Sequence, residues 1–122
     1  MQFDQHTVVL LVTNPDPPQL DEERAAAIQD AHLSFLAELH DAGHLLAVGP
    51  LADPDGELRG LSVLNVDAER ARELKEQDPA VQAGVFLLRV IPWTVPAGAM
   101  HFTPTFLPRS LADVLGADSS QS

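Results

Sequence analysis

Apolar positions along the chain fall into four short blocks and one long stripe of helical period, and their order sets out most of the fold. Thr7-Val8-Val9-Leu10-Leu11-Val12-Thr13 is an apolar, β-branched run closed by Asn14-Pro15-Asp16-Pro17-Pro18. It predicts a buried strand, followed by a loop that its prolines keep out of both helix and sheet. From Asp21 the period changes. Ile28, His32, Phe35, Leu36 and Leu39 share one face of a helix. Asp21 is its expected cap, Glu22 and Glu23 sit in the first turn where the helix dipole favours negative charge, and Gly43 ends it after about Ala42.

Leu45-Leu46-Ala47-Val48 predicts a second strand closed by Gly49-Pro50, and Leu58 to Val66 a third. The turn signal Asp53-Pro54-Asp55-Gly56 between them makes the pair a hairpin. Asp67 caps a short helix from Ala68 to about Gln77, and Val85 to Ile91 is a fourth strand ending at Pro92-Trp93. The resulting order, β-α-β-β-α-β, predicts an α+β, ferredoxin-like fold: an antiparallel sheet with both helices on one face. Strands one and four are apolar on both sides of the pleat, so the other sheet face needs a cover. A second copy of the same sheet is the simplest one, which predicts a homodimer through sheet faces.

Residues 1–95 thus make one domain, and residues 96–122 form a C-terminal extension. Phe102, Phe106, Leu107, Leu111, Val114 and Leu115 make that extension too apolar for a free tail. It is expected to pack on its own subunit or on the partner, with a short helix starting at Arg109 or Ser110 and a frayed end over Asp118–Ser122.

Composition narrows function chiefly by exclusion. A formal charge of −11, with only seven Lys and Arg residues scattered along 122 positions, gives no basic stripe for nucleic acid or an anionic membrane surface. No apolar run approaches a membrane span, the N-terminal stretch lacks the basic start of a signal peptide, and cytoplasmic residence is the default expectation. The absence of cysteine rules out a thiol nucleophile and a thiolate metal site. No Gly-rich phosphate loop and no nicotinamide or flavin fingerprint occurs, so no cofactor is expected.

One residue breaks the apolar stripe of the first helix. His32 points where Ile28, Phe35, Leu36 and Leu39 point, toward the interior. Its side chain is the one whose ordinary pKa suits proton transfer near neutrality, and a buried imidazole needs a partner. Asp78 is the candidate: it lies one turn beyond Leu74, and Pro79 holds it out of the helical region. A carboxylate on one ring nitrogen would fix the tautomer and leave the other nitrogen to take a proton. The bland alternative is that the two residues simply satisfy each other in the core.

Other polar groups carry less. His40 and His44 have the spacing of a metal pair, but Gly43 ends the helix between them, so no metal site is expected. His6 and His101 have no local partners and are read as surface residues. Arg89 is expected to face solvent or a rim ion pair. Ser62 lacks the G-x-S-x-G elbow of a serine nucleophile.

Three segments in combination, Ala31-His32-Leu33, Leu39-His40-Asp41-Ala42-Gly43-His44-Leu45-Leu46-Ala47-Val48-Gly49-Pro50 and Asp78-Pro79-Ala80-Val81-Gln82-Ala83-Gly84-Val85-Phe86, resemble the pattern of the YCII-related domain family. The resemblance covers roughly residues 7–93. It implies small ferredoxin-like subunits paired into a dimeric α+β barrel, similar to muconolactone isomerases, with His32 and Asp78 as the catalytic pair. It also places Ser62 near the substrate cleft; Gly49-Pro50 is read as a strand terminator or a wall of that cleft, and Trp93, at the end of the last strand, as lining the cleft, an interface or the core. The function expected on this basis is a small cofactor-free isomerase or lyase that abstracts a proton from a small cyclic or lactone-like metabolite, with or without elimination. The alternatives are a non-catalytic module that binds a ligand in the same pocket, and a purely structural dimer.

Overall fold

A computed structural model of the chain describes residues 1–119. Strands β1 (Phe3–Thr13), β2 (Leu45–Pro50), β3 (Leu58–Leu64) and β4 (Phe86–Pro96) form one antiparallel sheet in the order β2-β3-β1-β4. Helix α1 (Glu22–Asp41) connects β1 to β2, and α2 (Ala68–Lys75) with the one-turn α3 (Pro79–Gln82) connects β3 to β4. β1 and β2 are both antiparallel to β3, which lies between them. This is the ferredoxin-like split βαβ arrangement.

Local chemistry explains the elements. The Asp21 side chain accepts from the Arg24 amide at the start of α1, and Gly43 leaves its end with φ 86°. Asp67 caps α2 by accepting from the Arg70 amide. Alternation along β1 turns Thr7, Val9 and Leu11 toward the helices, where Val9 meets Leu36 and Leu39 of α1, Leu45, Leu64 and Ala71 in the core.

Several boundaries differ from the sequence reading. β1 begins at Phe3 and β4 continues to Pro96, in unbroken register from Thr13 opposite Phe86 to Phe3 opposite Pro96. β4 and β2 are edge strands, so Pro92, Pro96 and Pro50 are tolerated where the missing amide would have faced outward. The third strand ends at Leu64 instead of Val66. α2 stops at Lys75, and Asp78, extended at ψ 124° ahead of Pro79, opens α3 as a separate turn.

Beyond β4 the chain turns at Gly98 and folds back. Phe102 sets its ring edge against His6 at 5.5 Å. The Thr105 amide donates to His40 Nε2 at 3.2 Å, Arg109 pairs with Asp41, and the Leu111 amide donates to Asp30 Oδ1 at 2.8 Å. Helix α4 (Leu111–Ser119) lies against α1. Of the frayed end expected over Asp118–Ser122, residues 118 and 119 belong to α4, and residues 120–122 lie outside the described residues.

The opposite sheet face carries Val8, Leu10, Leu61, Leu87, Ile91 and Trp93 by the alternation of β1, β3 and β4. Leu87, Ile91 and Trp93 are 47%, 41% and 40% exposed. Among the described residues no helix is long and apolar enough to cross a membrane.

Candidate active site

The junction between α2 and α3 and the middle of α1 meet at one buried pair. Asp78 is fully buried and His32 only 7% exposed. Asp78 Oδ1 accepts from the Ala80 amide at 2.9 Å, the capping bond of α3, and so has a fixed orientation. His32 Nδ1 lies 2.8 Å from Asp78 Oδ2 and 3.0 Å from Oδ1. A carboxylate accepts, so Nδ1 carries a hydrogen, and in the neutral ring Nε2 keeps its lone pair. Phe86 flanks the ring with centroids 6.1 Å apart.

His32 lines a cavity of about 510 Å³ between α1 and the helix-facing side of the sheet. Leu33 and Leu36 wall it from α1, Val48, Gly49 and Pro50 from β2, and Gly60 and Ser62 from β3. Leu107, Pro108, Leu111 and Val114 of the extension close it. Gly60 leaves room on its floor: a Cβ there would stand 3.3 Å from Leu11 Cδ1. Apolar walls with a few convergent polar groups are the usual character of a small-molecule site.

Lys75, the last residue of α2, is fully buried, and its Nζ donates to Ser62 Oγ at 3.1 Å. Burial lowers the ammonium from its ordinary 10.5 to about 8, with the nearby Asp78 carboxylate opposing the drop. Sequence reasoning missed this residue and counted it only among the scattered basic residues. The usable signal was its position four residues after Ala71, which is buried, and three before Asp78.

The sequence model of the YCII-related domain matches residues 7–94. The chain belongs to the YCII-related domain family. The solved structure of 5-chloro-2-hydroxyhydroquinone dehydrochlorinase (TftG) from Burkholderia phenoliruptrix AC1100, in complex with 2,5-dihydroxybenzoquinone, is similar to it at a TM-score of 0.50 and 20% sequence identity. That similarity covers 72% of this chain and 92% of the other. No curated protein matches the sequence.

Within this YCII-related chain, His32, Gly49, Pro50 and Ser62 meet at one cavity, and Asp78 stands behind His32 without lining it. Trp93 is not part of the cavity. Seven residues beyond Phe86 in an unbroken strand, it has opposite parity and lies across the sheet, opposite His6 and with ring centroids 6.5 Å apart. His6 is likewise not a plain surface residue, because the returning extension lays Phe102 on it. Both ring nitrogens of His40 are engaged, Nδ1 with the Leu45 carbonyl at 2.8 Å and Nε2 with the Thr105 amide. No group of three or more His, Asp or Glu residues suited to a metal occurs among the described residues. Arg89 faces Glu57 at 3.7 Å in an exposed ion pair.

Proposed function

We propose that this protein is a small isomerase or lyase that works without a cofactor, with His32 as the base and Asp78 as the residue that orients it. Nε2 takes a proton from a carbon of a small ring compound held in the cavity. The electron pair left on that carbon either expels a leaving group from the neighbouring carbon or is reprotonated elsewhere on the ring. The imidazolium formed is stabilised by the Asp78 carboxylate. The observation that carries this reading is the Nδ1 contact with a buried carboxylate, which leaves Nε2 free beside an apolar cavity. The likeness to a dehydrochlorinase solved in complex with 2,5-dihydroxybenzoquinone supports the elimination form, with a halogenated or oxygenated ring as substrate.

The test is turnover of a panel of ring lactones and chlorinated hydroquinones, followed by absorbance and chloride release. His32→Ala should lower kcat by about 10²- to 10⁴-fold on whichever substrate reacts. Full turnover by His32→Ala would refute the assignment. A second reading draws on the way Leu107, Pro108 and Leu111 close the cavity: a module that holds a metabolite without changing it. Ligand recovered unchanged by mass spectrometry, and bound equally by His32→Ala, would favour that module.

In the same proposal, residues 1–95 are the YCII-like domain and residues 96–122 an extension that closes its site. A second copy covers the face bearing Leu87, Ile91 and Trp93, since an apolar face of this kind is rarely left to water. Light scattering should report a dimer for the native chain and a monomer for Ile91→Glu; a monomeric native chain would defeat this part.

A further inference from the structure

We propose that Ser62, positioned by Lys75, donates a hydrogen bond to a negatively charged oxygen of the ligand, so that the site takes phenols, enols or ring ketones that become oxyanions. This rests on the reading of the cavity as the place where His32 removes a proton. An ammonium group can only donate, whereas a hydroxyl has one hydrogen and two lone pairs. Lys75 Nζ occupies one lone pair of Ser62 Oγ at 3.1 Å. The hydroxyl hydrogen then remains available, and no protein group among the described residues accepts it. Ser62 lines the cavity together with His32. Its backbone is fixed between β1 and β2, opposite Val9 and Val48, so the donor is held by the sheet and not by a loop.

Charge balance points the same way. The interior holds the Lys75 ammonium near the Asp78 carboxylate, and a base at His32 acts through its neutral ring. Proton transfer to His32 adds one positive charge there and leaves one negative charge on the substrate. That charge, delocalised from carbon onto oxygen, meets the Ser62 hydroxyl and, behind it, the Lys75 ammonium. Preorganised donors aimed at a developing oxyanion act strongly in a water-poor site. The same bond argues against Ser62 as a nucleophile, because a donated ammonium hydrogen withdraws electron density from Oγ. Lys75 does not line the cavity and is a positioning residue.

The experiment uses the full chain and 4-nitrophenol, whose phenolate has its own visible absorption band. The bound probe is titrated with pH and compared with the free probe. The expected result for the native chain is at least about tenfold tighter binding of the phenolate than of the phenol, seen as a bound pKa lowered by about one unit or more. Ser62→Ala and Lys75→Met should each abolish that preference while still binding the neutral phenol, a spectroscopic change that a merely structural role would not produce. His32→Gln should keep the preference while losing turnover. A native chain that does not bind the probe, or binds both forms equally, overturns the proposal, as does a Ser62→Ala chain that keeps the preference. Retention by Lys75→Met overturns the lysine's part. If Lys75→Met does not fold, Ser62→Ala decides alone. None of these failures touches His32 as the base, which is read by turnover.

Discussion

Asp78→Ala is expected to lower the free energy of unfolding by about 3–5 kcal/mol and to abolish proton-transfer activity. Three losses coincide at this fully buried position. The α3 cap that accepts from Ala80 disappears, a change that typically costs about 1 kcal/mol at a helix start. His32 Nδ1–H is left in the interior without its acceptor, which costs roughly 1–3 kcal/mol. The Lys75 ammonium, near Asp78 but in no direct ion pair with it, loses the opposite charge that offsets its burial, and leaving a buried charge uncompensated is costly on the order of 3–5 kcal/mol. These terms share partners and do not add, so the total stays near the largest of them. Urea denaturation followed by circular dichroism measures it. A loss below about 1 kcal/mol would show that the carboxylate contributes little to the fold. Asp78→Asn separates the roles. It keeps an oxygen for the cap, but its amide can present a donor to Nδ1 and so put the hydrogen on Nε2, where it blocks base function. Stability should recover in part and activity should not.

The half of the site that follows from local periodicity was legible in the sequence. His32 stands out because a helix repeats every 3.6 residues and its neighbours on the stripe are aliphatic. Asp78 stands out because Pro79 restricts it, although the helical face it was expected to share with Leu74 ends at Lys75. Lys75 was hidden for the opposite reason. A lysine at the end of a short polar helix ordinarily snorkels to water, and only the packing of α2 over Ser62 decides that this one cannot. For Trp93 the cleft, an interface and the core stayed open because the strand was ended at Pro92, which overlooks that an edge strand accepts proline; counting parity from Phe86 through the prolines puts it on the far face, away from the cleft. The extension was visible as too apolar to be free, yet its pattern contained no information about which surface it would close. That depended on Thr105, Arg109 and Leu111 finding His40, Asp41 and Asp30 on the outside of α1.

Lys75→Met is expected to make the protein more stable near neutral pH, by about 1–3 kcal/mol, and no more stable in strong base. The folded chain holds the ammonium at about 8, against 10.5 for the free side chain. Between those two values the unfolded chain binds more protons than the folded one, so native stability rises with pH across that window. Below it both states are protonated, and folding carries the full cost of burying the charge; above it both are neutral and the cost is gone. The gap corresponds to on the order of 3 kcal/mol. That gap already includes the attraction of Asp78, so methionine, with nearly the same reach and no charge, removes the net cost, less the hydrogen bond to Ser62 that it cannot make. The variant's advantage should therefore be largest at about pH 7 and vanish by about pH 10.5, as read from urea midpoints at several pH values. A difference that does not change with pH would mean the buried ammonium is not what sets it. The expected gain bears on why the lysine is there. A side chain that costs stability at neutral pH, in a position where an aliphatic residue would fit, contributes something other than folding. Its contact with Ser62 at the edge of the cavity is where that contribution would be delivered.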